Sequence, residues 1–300
     1  MNSNPISDNN FLRTISDVSK IITPIDSTVR FPEILDILIE KYSGAIETFC
    51  QLIRACDSSE ELLRQIRQPE RDADERMALL KMYRRCVSPV LDTETTKKIK
   101  KINTETLIEA YGLTFKPIGK LKQQFEDLSP EFRFALAALL GEYDTRGQSG
   151  YELTGLFFNW FATHFEGTYL IEGPRGAGRD IELSTIYPSY RGTFPCDFVI
   201  RRVSDQEVAA IGFARYDSTR GGAQSDDRTG GNANKVDKAI AFDKETSIKI
   251  KMIFLSDGPG LIHKDTWEES CILDGQWNGR VRVVTLKLAA KRITLEWLNS

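Results

Sequence analysis

The sequence predicts an α/β protein in which an N-terminal helical region precedes a core built on a mixed β-sheet. Up to about residue 145 the apolar residues recur at three- and four-residue spacing, the period of amphipathic helices. Beyond about residue 168, short runs of β-branched and aromatic residues alternate with helical stretches, the pattern of strands flanked by helices. Between them lies a polar, glycine-containing break, Asp144 to Gly150. These observations divide the chain into a flexible arm (1–28), a helical region (29–145) and a core (146–300).

The arm is polar and loosely patterned. Pro32 then opens a helix in which Ile34, Leu35, Leu38, Ile39, Tyr42, Ile46, Phe49 and Ile53 share one face. A second helix spans Ser59 to Arg67, with Ser58 or Ser59 as cap and Glu61 behind it. Asp74 to Cys86 forms a third, ended by Ser88-Pro89. The pattern predicts a fourth helix over Thr93 to Tyr111, stopping at Gly112, and a fifth from Ser129-Pro130 through Tyr143.

In the core, Tyr151 to Phe165 is an amphipathic helix and Thr168 to Ile171 the first strand. The loop Gly173 to Asp180 carries the glycines of a phosphate-cradling loop. Arg179 and Asp180 stand where that motif needs lysine and a hydroxyl residue, so an NTPase is a weak alternative. Gly192 to Ile200 and Val208 to Asp217 form a hairpin around Ser204-Asp205-Gln206, followed by a Gly-rich polar loop up to Lys235. Further strands are expected at Ile248 to Leu255 and Val281 to Leu288, with a helix or helical turn at Lys264 to Leu273 and a closing segment at Ile293 to Leu298.

Composition excludes several chemistries. Two histidines, His164 and His263, are too few for zinc hydrolases or Ser-His-Asp enzymes, and His164 reads as a structural residue. Five scattered cysteines without a C-x-x-C pair fit a reducing cytoplasm. No apolar run approaches the roughly 20 residues of a membrane helix. The net charge of −3 argues against a simple DNA-coating protein, yet the cations are clustered. Lys97, Lys98, Lys100 and Lys101 form one run, and the span from Arg175 to Arg228 contains eight arginines and no lysine. Arginine suits bidentate recognition of guanine edges and phosphates; a lysine run is equally well a solvated helix face.

Asp197 opens one hairpin strand, while Arg215 and Asp217 close the other on a shared face, so carboxylates and a guanidinium converge at one sheet end. Mutually repelling carboxylates are relieved by a divalent cation, and oxygen ligands suit Mg²⁺. The P-x-D of Pro195 to Asp197, the adjoining charged strand end and the later strand resemble the PD-(D/E)xK nuclease fold. The run YDSTRGGAQSDDRTGGN, Tyr216 to Asn232, looks more specifically like a group of type II restriction endonucleases. The resemblance covers roughly residues 150 to 290 and departs from the family at Phe213, Ala214 and Arg215, where an acid, any residue and a lysine are usual.

The resemblance implies a Mg²⁺-dependent, sequence-specific double-stranded DNA endonuclease with Asp197 as first metal ligand. The second acid is Asp217, or else Asp226 or Asp227, and Asp180 is a further metal-site acid. Glu152 matches the family's helix glutamate, or else complements its helix dipole. Arg215 stands in the lysine's place but cannot act as base. Water is activated by metal alone, or Lys235 reaches in from a following helix. Arg175, Arg179, Arg220, Gln224, Arg228, Lys97 and Lys98 are DNA-contact candidates, and the 217–235 loop is otherwise a solvated surface. A palindromic site would imply a homodimer. The helical region reads DNA or makes that dimer. A DNA-binding or assembly protein with a dead nuclease core, and a structure-specific or RNA nuclease, are the alternatives.

Overall fold

The computed structural model describes residues 11–26, 29–142, 144, 148–218, 224–246 and 248–300, with the side chains of 224–230 excepted. The chain forms two compact units, Val29–Arg146 and the remainder.

The first unit is helical: α1 (Ile34–Ala55), α2 (Ser59–Ile66), α3 (Ala73–Cys86), α4 (Thr93–Thr96), α5 (Thr104–Tyr111), α6 (Ile118–Gln124) and α7 (Pro130–Gly141). Leu38, Tyr42, Ile46, Phe49 and Ile53 bury the expected face of α1 against Leu136, Ala137 and Leu140 of α7 and Leu79, Met82 and Tyr83 of α3. Ser58 caps α2, its Oγ accepting from the Glu61 N–H at 3.0 Å while Glu61 accepts from the Asp57 N–H at 2.7 Å. The single helix expected over Thr93 to Tyr111 is instead two. The buried Arg67 guanidinium donates to the Thr96 carbonyl (2.9 Å), the Ile102 carbonyl (2.7 Å) and Thr104 Oγ1 (2.8 Å). It takes a carbonyl that a continuous helix would use itself, and Asn103 caps the new start at α5. Lys97 and Lys98 therefore occupy an exposed turn rather than a helix face.

The second unit holds α8 (Gln148–His164), β1 (Tyr169–Glu172), β2 (Ile181–Glu182), α9 (Leu183–Ile186), β3 (Pro195–Cys196), β4 (Phe198–Arg202), β5 (Val208–Tyr216), α10 (Gln224–Thr246), β6 (Met252–Asp257), α11 (Lys264–Leu273), α12 (Gln276–Gly279), β7 (Val281–Val284), α13 (Ala289–Arg292) and α14 (Leu295–Asn299). Five strands form one sheet in the order β1-β4-β5-β6-β7. The first three are antiparallel neighbours, while β5, β6 and β7 are parallel. Parallel neighbours need long crossovers, which α10 and α11 provide. Alternation decides the layers. Val199, Ile211, Phe213, Met252, Phe254, Val281 and Val283 face a core with Val236, Ala239 and Phe242 of α10. Phe198, Ile200, Ala210, Ile253, Leu255 and Val284 face Phe157, Phe158 and Phe161 of α8 and Trp297 of α14.

Three expectations are corrected here. The described part of the Gly-rich 217–235 stretch includes the start of α10, so the predicted loop is mainly helix from Gln224 onward. The strand foreseen through Leu288 ends at Val284, because the Leu286 N–H turns to a carboxylate oxygen of Asp257 (3.0 Å) and the Leu288 N–H to the Thr285 carbonyl (3.0 Å). Residues 11–26, read as part of a flexible arm, belong to this unit, with Leu12 and Ile21 buried in its core. His164 is exposed, with Nδ1 at 3.0 Å from the Trp160 carbonyl. All five cysteines are free thiols. Among the described residues no helix is long and apolar enough to cross a membrane.

Asp257, wholly buried at the end of β6, joins these pieces. Its carboxylate accepts from the backbone N–H groups of Thr23 (2.8 Å), Gly258 (2.8 Å) and Leu286 (3.0 Å). Replacing Asp257→Ala removes the acceptor of one buried and two partly buried N–H groups, a fully buried donor costing about 1–3 kcal/mol. Urea denaturation is expected to show a loss of about 2–3 kcal/mol, at the upper end of what single substitutions usually cost.

Candidate active site

Asp197 stands at the join between the β2–β3 ribbon and the main sheet. Its N–H donates to the Gly212 carbonyl at 2.9 Å, and its Oδ2 accepts from the Ala214 N–H at 2.7 Å. Both ends of the residue are thereby fixed to β5. Gly173, at φ +155°, passes so close that a Cβ would stand 2.3 Å from the Asp197 carbonyl oxygen, so only glycine lets the 173–180 loop lie there. The ribbon pairs Ile181 with Cys196 in antiparallel register. Asp180, the residue before this ribbon, is near enough for its charge to act on Asp197.

Asp197 opens into a cleft of about 320 Å³ at the carboxyl ends of β5 and β6. Phe213, Ala214 and Arg215 of β5, Phe254, Leu255 and Ser256 around β6, and Gly231, Asn232 and Lys235 of α10 complete its wall. Burial pushes the Asp197 carboxyl above the usual aspartate range; the Ala214 N–H opposes this, Asp180 adds to it and the Lys235 charge opposes it. Burial likewise draws Lys235 below the usual lysine range, against the pull of Asp197, Cys196 and Asp180. The Lys235 ammonium sits 3.8 Å from the centre of the Phe213 ring. The neighbouring Cys196 thiol is raised by burial to about 12, which keeps it protonated and unreactive at neutral pH.

Arg215 shares this wall but is anchored from below. Its Nε donates to Asp217 Oδ1 at 2.6 Å, with the Asp217 side chain 9% exposed against 36% for Arg215. The bond leaves the two terminal nitrogens of the guanidinium as donors toward a ligand. Asp217 itself does not line the cleft. Its N–H donates to the Asp257 carbonyl and its carbonyl accepts from the Gly260 N–H, both at 2.7 Å. Asp217, expected from the sequence as a second metal ligand, stands beside Arg215 just past the end of β5. Gly258, at φ +109°, must be glycine, since a Cβ would fall 2.5 Å from the Asp217 carbonyl oxygen.

Other predicted residues lie elsewhere. Glu152 borders a different depression, together with Gln148, Tyr151, Gly155 and Arg175, on the α8 side. Arg175 donates to Asn159 Oδ1 at 2.6 Å and lies over the Phe158 ring. Arg179 and Asp180 are exposed. No helix opens directly after the 173–180 loop, which leads into β2, so the phosphate-cradle alternative lacks its strand–loop–helix context. Lys97 belongs to the helical unit and pairs with Glu94 at 2.7 Å. Lys98 is its exposed neighbour. Arg220 lies outside the described residues. Gln224, Asp226, Asp227 and Arg228 belong to α10, with side chains outside the description. Among the described residues no three His, Cys, Asp or Glu side chains gather in a metal-holding cluster.

Sequence reasoning missed Asn232 and Ser256. Asn232 stands one helical turn before Lys235, a signal available only once 224–246 is read as helix. No family model, curated protein or solved structure matches the chain.

The raised Asp197 carboxyl has a definite sign in stability. The folded protein holds that proton more tightly than the unfolded chain, so stability falls as pH rises from the ordinary aspartate value of about 4 through the higher folded value. Burial outweighs the Lys235 attraction. Asp197→Asn is therefore expected to melt above the wild type at neutral pH, and thermal scans should show the gain closing toward about pH 4.

Proposed function

We propose that the chain is a Mg²⁺-dependent, sequence-specific double-stranded DNA endonuclease of restriction type, built on a PD-(D/E)xK-like core. The observation that carries this reading is the meeting of Asp197 and Lys235 in one cleft. The strand that should supply a lysine has Arg215 instead, and α10 delivers an amine to the same place. The strand order supports the reading as well: a helix, three antiparallel strands, a crossover helix and a parallel strand, with the acid at the start of the second strand. The absent strand lysine, which favoured a non-cleaving DNA-binding protein, is thereby offset.

The acids fit Mg²⁺ better than a metal needing a full protein cage. Mg²⁺ keeps several waters and takes one or two carboxylates plus substrate phosphate. Asp197 has a desolvated carboxylate facing the cleft, and Asp180 is near enough to act on its charge. These two would hold the ion, which would neutralise charge building on the phosphate and lower the pKa of bound water. Asp197 is kept in place by the Ala214 N–H, so its orientation is set before substrate arrives. Arg215, braced by Asp217, offers its terminal nitrogens to the non-bridging phosphate oxygens. Lys235, whose ammonium stands at the cleft wall with Asp197, is placed to hold the attacking water and to stabilise the charge that builds as the phosphorus–O3′ bond breaks, a solvent water giving O3′ its proton.

Sequence choice rests on the arginine-rich span. Arg201 and Arg202 are committed to Glu172, Asp205 and Glu207. Arg175, Arg179, Arg220, Arg228 and Gln224 are the candidates for base and phosphate contacts, each good bidentate base contact contributing about 1–3 kcal/mol of discrimination. A homodimer follows for a palindromic site.

Long unmethylated DNA incubated with the protein and Mg²⁺ should yield discrete bands, and chelation should abolish them. A smear would retain the nuclease and reject sequence choice. Intact DNA with either Mg²⁺ or Mn²⁺, across several DNAs, would reject cleavage altogether. Asp197→Ala is expected to stop cleavage while leaving gel-shift binding in place, and Lys235→Ala to slow single-turnover cleavage by about 10²–10⁴-fold.

A further inference from the structure

Phe213 occupies the place where the resembled family carries its strand acid, and a phenylalanine there can neither ligate a metal nor move a proton. Its surroundings give it another task. The ring is 6% exposed, stacked on Phe254 with centroids 5.0 Å apart and planes 24° from parallel, and tilted against Phe194 at 6.0 Å. Both neighbours are themselves buried, so the ring cannot swing. The Lys235 ammonium lies 3.8 Å from its centre, the shortest such approach among the described residues. An ammonium on a ring face is held by the negative face of the π-system, and more strongly where water is excluded.

Lysine has four rotatable side-chain bonds and, arriving from a helix, no strand register to aim it. No oxygen lies within ion-pair distance of Lys235 in the described contacts, so the aromatic face is the group that fixes its Nζ at the cleft wall. We propose that Phe213 is the positioning residue for Lys235, an aromatic seat that keeps the helix-borne amine beside Asp197. The inference rests on the nuclease reading for its consequence in catalysis, while the contact itself does not.

The test is a double-substitution cycle. Phe213→Leu removes the π-face and keeps an apolar filler, Phe213→Tyr keeps the face, and Lys235→Met removes the charge and keeps the stem. With single-turnover cleavage as readout, Phe213→Leu is expected to lose about 10²-fold in rate, the scale of a misplaced catalytic group, with DNA affinity unchanged. Phe213→Tyr should recover most of that rate, and Phe213→Leu should cost nothing more once Lys235→Met is present. Full activity in Phe213→Leu, or losses that multiply in the double variant, would overturn the assignment. If wild-type protein cuts no DNA, the nuclease reading falls and the melting temperatures of wild type, Phe213→Leu, Lys235→Met and their double variant decide the contact. A double variant losing less than the sum of the singles upholds it, and additive losses refute it.

Discussion

The structure depends on one buried carboxylate that serves as a backbone junction. Asp257 ends β6 and collects N–H groups from an N-terminal segment, from its own turn and from the chain leaving β7. A buried charge without partners would be severely unfavourable, and three donors aimed at it make the burial tenable. The same residue's carbonyl accepts from the Asp217 N–H, which places Asp217 under Arg215. The geometry of the cleft wall is thus inherited from a residue that does not itself line the cleft.

The site is electrostatically tense where the fold is relaxed. Asp197 and Lys235 are each held away from their preferred protonation range by burial, and each partly relieves the other. Such opposed shifts in a cleft are what proton-moving sites need, because groups at their ordinary values in water would be too weakly poised. The aromatic cluster of Phe194, Phe213 and Phe254 packs beside Asp197 and Lys235, with Phe213 and Phe254 in the cleft wall.

Local pattern made much of this legible and also set its limits. The apolar period placed α1, α3, α8 and α11 within a few residues of their ends, and turn residues marked the β4–β5 hairpin. It failed where a distant group competed for backbone. Arg67 splits the 93–111 helix by taking its carbonyls, and Asp257 ends β7 early by taking an N–H. The Gly-rich composition of 224–232 argued for a loop, yet α10 runs through it into a buried face of Val236, Ala239 and Phe242. Burial of that later face outweighs the weak helix propensity of the glycines before it.

The sequence by itself determined the α/β class, the main helices and strands on either side of the 144–150 break, and the place of Asp197 at a strand start, because period, turn chemistry and strand starts are local properties of the chain. With only two histidines it also argued against histidine-dependent hydrolases. Which of these groups share a cleft was decided in three dimensions. Asp217 and Arg215 have the same strand parity, but a strong ion pair past the strand end takes Asp217 out of the cleft lining. Asp180 reaches Asp197 through a two-residue ribbon, and Lys235 through a helix docked across the sheet. Residues 17 and 38 positions from Asp197 meet it only because strand pairing and helix packing close those loops, a constraint that no spacing along the chain encodes.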